Sequence, residues 1–207
     1  MLIPGLVWSL PGPMLYAVMP ALTSPSEAVS DGDSSGSEPS EPPQPDQSSG
    51  GGHLEINDRT RRLRSDELEL IQDGLSRLIE QLGVRCVRFT VEIVDDQRMC
   101  LLHQRWHDDP STTDVLSFPM SEPGAPIDAD VACCLDEAQR RAEALEHDRA
   151  RELVLYALHG LLHVVGHDDH DEASYRRMHA EEDRLLESVG LGALFGPGSA
   201  LNEEDDS

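Results

Sequence analysis

The sequence predicts an α+β fold: a single domain with a small mixed β-sheet packed with helices. Three observations carry this. Short stretches alternate apolar and polar residues at period two, and between them lie stretches whose apolar residues recur at helical spacing. There is also no internal repeat in the 207 residues, a length that leaves room for one modest domain once an N-terminal extension is set aside.

Residues 1–53 are read as a disordered or mis-called N-terminal extension. The first 22 residues are apolar but interrupted by Pro4, Pro11, Pro13 and Pro20, with no Lys or Arg ahead of the apolar part. That makes a poor signal peptide and a worse membrane helix. Met14 and Met19 offer later starts. Residues 23–52 are Ser, Pro, Gly, Asp and Glu with almost no apolar content, too little to offset the entropy of ordering.

Folding is expected to begin with a short strand at His53-Leu54-Glu55-Ile56-Asn57, followed by the cluster Arg59, Arg61, Arg62 and Arg64. Ser65 or Asp66 can cap a helix whose face carries Leu68, Ile71, Leu75, Leu78, Ile79 and Leu82, until Gly83 stops it. Val87, Phe89, Val91 and Ile93 alternate with polar residues as a strand with one wet face. A helix carrying Met99, Leu102 and Trp106 ends at Asp108-Asp109-Pro110, and Thr113 to Phe118 forms a second strand ended by Pro119. Residues 121–128, with Pro123, Gly124 and Pro126, read as a loop, and residues 130–134 as a short strand. A helix over 136–146 precedes a buried one over 150–165, apolar around most of its circumference and stopped by Gly166. An amphipathic helix over 171–188 completes the domain, and residues 191–207 are read as a C-terminal tail.

The composition narrows the function. Forty acids against 16 bases give a net charge of −24, and every base is arginine. A broad basic nucleic-acid face is excluded, so any such contact is local and made by a few arginines. Cys86, Cys100, Cys133 and Cys134 form no disulfide framework and no Cys-x-x-Cys pair, which fits a reduced, cytoplasmic protein. Cys133 and Cys134, Met99, Met178 and Trp106 are expected to pack rather than bind.

The chemistry is concentrated on the buried helix. His159 and His163 are four apart, so both imidazoles leave one face at a spacing that suits two ligands of one metal. Gly166 lets the chain turn back at once, and His167-Asp168-Asp169-His170 offers four further donors. Burying so many ionisable groups without a metal or partners is costly. Glutamate directly after the first histidine would mark a zinc peptidase, but that residue is Gly160.

The string His159-Gly160-Leu161-Leu162-His163-Val164-Val165-Gly166-His167-Asp168-Asp169 resembles the signature of the YbeY family, a single-strand-specific endoribonuclease and rRNA maturation factor. A second string, Thr113-Asp114-Val115-Leu116-Ser117-Phe118-Pro119, is similar to the family's other motif and stands upstream of the first. The resemblance covers residues 54–190 and implies a metzincin-like fold with one zinc per chain. It implies a metal-dependent hydrolase that acts on RNA phosphodiester bonds, at the 3′ end of 16S rRNA and in ribosome quality control. Its partners would be rRNA, the small ribosomal subunit and ribosome-associated proteins, with neither DNA nor membrane.

Two departures from the pattern matter. The family's third histidine is replaced by Asp169, with His170 one residue later, so the ligand set is His159, His163 and Asp169, with His170 the alternative. The family's catalytic arginine falls on His107, with Arg105 nearby, so His159, His107 and Arg105 form the candidate catalytic set. Three protein ligands leave a fourth position for a water made more acidic by the ion. Arg59, Arg61, Arg62 and Arg64 are the candidate RNA contact, against the alternative of a solvated stretch before a helix. The rival functions are a non-catalytic, zinc-stabilised ribosome-associated factor and a divergent metallopeptidase.

Overall fold

The computed structural model describes residues 52–122 and 124–195. The expectations for residues 1–51 and for the tail from 196 onward lie outside the described residues. The elements run β1 (His53–Asp58), α1 (Ser65–Leu82), β2 (Cys86–Val94), α2 (Asp96–His107), β3 (Val115–Pro119), β4 (Ile127–Cys134), α3 (Leu135–Ala144), α4 (Arg149–Val164) and α5 (Glu172–Ser188). This is the α+β architecture expected. The sheet order is β1-β2-β4-β3, with β1, β2 and β4 parallel and β3 antiparallel at the edge.

The period-two pattern sorts side chains onto two faces. Phe89, Val91 and Ile93 of β2 and Ile127, Ala129, Val131 and Cys133 of β4 join the main core with α1, α3, α4 and α5. Leu116, Ala132 and Cys134 point the other way, where Met99 and Leu102 of α2 cover them. Adjacent Cys133 and Cys134 are therefore both buried, but in different cores. Helix α4 lies at the centre, packed on α1, α3, β3 and β4.

Several ends differ from the sequence expectation, each for a local reason. Strand β4 starts at Ile127, inside the expected loop. Its Ile127 N–H bonds the Arg85 carbonyl at 2.8 Å, and Asp128 and Asp130 on the open face both pair with Arg88. Pro119 belongs to β3, because an edge strand tolerates a residue without an N–H. Thr113 and Asp114 precede β3, and Asp114 Oδ1 accepts the Val115 N–H at 2.8 Å. Helix α1 is capped from inside, since Glu67 Oε2 accepts the Arg64 N–H at 2.8 Å. Residues 191–195, expected in the tail, pack on the body, with Leu194 6% exposed. Among the described residues no helix is long and apolar enough to cross a membrane.

Candidate metal centre

The site forms where α4 ends against α5. His159 and His163 stand one turn apart with ring centroids 4.6 Å apart, and their Nε2 atoms are 3.1 Å from each other. Gly166, at φ 100°, reverses the chain. Its N–H bonds the His163 carbonyl at 3.0 Å and the next N–H, of His167, bonds the Leu162 carbonyl at 2.9 Å, which is the hydrogen-bond pattern of a Schellman cap. The reversal carries Asp169 back over the histidines. Its Oδ2 lies 3.7 Å from His159 Nε2 and 3.6 Å from His163 Nε2.

These separations test whether a zinc ion fits. Bonds of about 2.0–2.2 Å in a tetrahedron place donor atoms about 3.3–3.6 Å apart. The three observed values, 3.1, 3.6 and 3.7 Å, straddle that range. Two imidazole nitrogens and a carboxylate oxygen are also a donor set zinc accepts. His170 is placed differently: its Nδ1 pairs with Asp168 and lies 3.7 Å from Oδ1 of Asp169, the oxygen that does not face α4. The fold thus brings His159, His163 and Asp169 together and leaves His170 beside them.

The second nitrogens are held as well. His163 Nδ1 lies 3.2 Å from the His167 carbonyl. His159 Nδ1 lies 2.8 Å from Oε1 of Glu182, while Oε2 of the same carboxylate is 2.6 Å from His179 Nδ1. Glu182 is fully buried. Carboxylates in this position fix the tautomer and orientation of a ligating histidine. Burial opposes the charge on Glu182, but hydrogen bonds from His159 and His179 outweigh it and hold its pKa below the usual value. Burial likewise pulls His159 down, and the hydrogen bond and charge of Glu182 raise it past its ordinary value. For Asp169 the His163 hydrogen bond comes first, and the net shift is downward.

Glu182 and His179 carry no motif in the sequence. The available signal was a glutamate within the apolar stripe of α5, between Met178 and Leu185. Gly160 has a structural explanation too. A Cβ there would lie 2.7 Å from Ser117 Oγ and 3.0 Å from Val131 Cγ1, so α4 crosses β3 and β4 closely enough that a side chain at this position must displace a neighbour.

Arg105 and His107 are not brought to this cluster. They sit near the C-terminal end of α2, whose core residues cover the opposite face of the sheet from α4. The Arg105 guanidinium lies 5.2 Å from the Trp106 ring, which meets Phe118 edge-on. Desolvation, then the neighbouring His103, pushes the His107 pKa below the ordinary imidazole value, so its ring is neutral at pH 7. In the arginine cluster, Arg59 pairs with Glu92, Arg62 with Asp136 and Arg64 with Asp66. Asp58 ties down this loop by accepting the N–H groups of Thr60, Arg61 and Leu63. Only Arg61 of the four lacks an ion pair among the described residues.

An α+β domain with a His-His-carboxylate cluster at the end of a buried helix defines a protein with a candidate metal site. The family model described as endoribonuclease YbeY matches residues 54–190. The chain belongs to that family, and with it goes an endoribonuclease role. The endoribonuclease YbeY of Micrococcus luteus is 34% identical over 156 residues, which span 69% of this chain and 97% of the relative. That of Thermus thermophilus is 36% identical over 120 residues, spanning 56% and 86%. A solution structure of a Thermotoga maritima protein aligns with a TM-score of 0.47 and 19% identity, over 65% of this chain and 90% of that one.

Proposed function

We propose that this protein is a cytoplasmic, zinc-dependent endoribonuclease specific for single-stranded RNA. It acts in rRNA maturation, at the 3′ end of 16S rRNA, and in ribosome quality control. The observation that carries the metal dependence is the convergence of His159 Nε2, His163 Nε2 and Asp169 Oδ2 in a member of an endoribonuclease family. A zinc ion would be held by these three atoms and would supply Lewis acidity toward a phosphoryl oxygen and toward water.

The chain's own residues do the rest. Glu182 holds His159 in the orientation that presents Nε2 to the ion. Asp169 would bring a negative charge to a ligand set otherwise made of two imidazoles, which would temper the acidity a bound zinc confers. Gly160 stands where a zinc peptidase of this helix type carries its general base, and a side chain there would have to displace Ser117. Phosphodiester cleavage depends on charge stabilisation and positioning, which this arrangement supplies. Arg105 is the cation for the phosphate at neutral pH, meeting RNA that passes around the β3 edge, with the neutral His107 as a hydrogen-bonding partner. Among the four arginines before α1, Arg61 is the proposed contact with the rRNA of the small subunit, because the other three are engaged with acids.

The rival reading, a zinc-stabilised factor without catalysis, calls for a closed set of four protein ligands. Among the described residues three donor atoms converge, which favours an open, catalytic position. The test is cleavage of a labelled 16S-type 3′ segment, single-stranded and annealed, before and after chelation. Cleavage of the single strand alone, lost with chelator and restored by zinc, is the expected result. Cleavage indifferent to chelator contradicts the proposed metal dependence.

A further inference from the structure

Beyond the segment that matches the family model, residues 191–195 are built into the body through several anchors. Gly190, at φ 79°, ends α5, and the Leu191 N–H returns to the Leu186 carbonyl at 2.9 Å. Arg151 of α4 donates through Nη2 to the carbonyls of Gly192 and Ala193, both at 2.8 Å. Asp183 of α5 accepts the N–H groups of Leu194 and Phe195 on one oxygen, at 2.6 and 2.9 Å. Leu194 enters the main core.

These anchors deliver one ring. Phe195 stacks on His179 with centroids 3.9 Å apart and planes 28° from parallel. Tyr175 meets the same imidazole edge-on at 4.0 Å, so His179 is gripped by two aromatic rings. His179 in turn holds one oxygen of the buried Glu182, and the other oxygen holds His159. The chain of contact is therefore Phe195, His179, Glu182, His159.

We infer that the segment 191–195 is a positioning element of the metal centre, with Phe195 acting through His179 and Glu182 to fix the orientation of His159. This rests on the zinc-site reading above. A buried carboxylate shared by two histidines can rotate about its own side chain unless both partners are fixed. His159 and His179 both stand on helices, which leaves each ring its rotation about Cβ. For His179 that rotation is limited by Tyr175 at its edge and Phe195 stacked on its face, so loss of the Phe195 face loosens Glu182 and, through it, the ligand.

The experiment uses the full chain with Phe195→Ala, Phe195→Leu and Phe195→Tyr. Zinc affinity is read by competition with a chromophoric chelator, well below each protein's unfolding midpoint. The visible spectrum of the cobalt(II) form reports ligand geometry. Loss of partners outside the ligand shell weakens metal binding by about 10–100-fold, and the more remote Phe195 belongs at the low end, about tenfold. Phe195→Ala and Phe195→Leu are expected to show that loss with an altered cobalt spectrum, while Phe195→Tyr keeps the ring face and binds like the parent. Leucine retains the apolar volume, so its failure separates the ring's role from core packing. Unchanged affinity and spectrum in the folded Leu variant would overturn the inference while leaving the metal centre standing. Absence of zinc and cobalt binding in the parent protein would instead remove the metal centre, and the inference with it.

Discussion

The turn after α4 and the loop before α1 are both dense in charged and ionisable residues, yet they end differently. In the loop, three of the four arginines are taken by nearby acids, with Arg59 on Glu92, Arg62 on Asp136 and Arg64 on Asp66. At the turn, Asp169 joins His159 and His163 of α4 in pointing donor atoms at a common centre, and the second nitrogens of the two histidines are held by Glu182 and a backbone carbonyl. Exposed opposite charges in an acidic chain neutralise one another locally. Groups buried on a rigid helix keep the geometry the helix imposes.

The comparison breaks most visibly at His163. His163→Ala is expected to abolish zinc binding and RNA cleavage together while the far-ultraviolet circular dichroism persists; loss of the helical signal would make the site structural. Next in size is Glu182→Gln, which leaves the ligands in place but removes the charge that orients His159. It should weaken zinc binding by about 10–100-fold in chelator competition.

Gly160→Ala probes the packing beneath the site. With its Cβ 2.7 Å from Ser117 Oγ, it is expected to destabilise by about 1–3 kcal/mol in urea denaturation. The double variant Gly160→Ala with Ser117→Gly should recover part of that loss.

A smaller effect separates a structural ion pair from the metal centre. Asp96 titrates at about 2, held down first by hydrogen bonds from Arg140, against burial, and also by Cys134 and Thr112. Its contribution to stability is present above the unfolded value of 3.8 and is lost as pH falls towards about 2. Arg140→Gln should flatten acid unfolding in that window. Smallest are Arg59→Gln and Arg62→Gln, each worth about 0–1 kcal/mol of stability as exposed pairs. They should leave RNA affinity at low salt unchanged, whereas Arg61→Gln is expected to lower it.

Much of the fold was legible because its signals are periodic. The stripe of α1, the alternation of β2 and the apolar circumference of α4 each follow from one face of one element meeting the core. The start of β4 was hidden, since Ile127 and Asp128 read as loop until the Arg85 carbonyl and the Arg88 side chain across the sheet bond to them. At the site, His159 and His163 were legible because helical spacing alone sets their distance. Glu182 and His179 were not, because their role depends on how α5 docks against α4, and no local pattern encodes that. The packing of Leu194 and Phe195 was hidden for the same reason, depending on Arg151 and Asp183, distant or polar residues that give no hydrophobic signal.

The most direct test of the central claim is elemental analysis of the purified chain beside its Asp169→Ala and His170→Ala variants. About one zinc per chain in the parent and in His170→Ala, with zinc lost in Asp169→Ala, is the expected result. Zinc retained without Asp169 and lost without His170 would contradict the assigned third ligand, and a parent protein that takes up no zinc when supplied with it would contradict the metal centre itself.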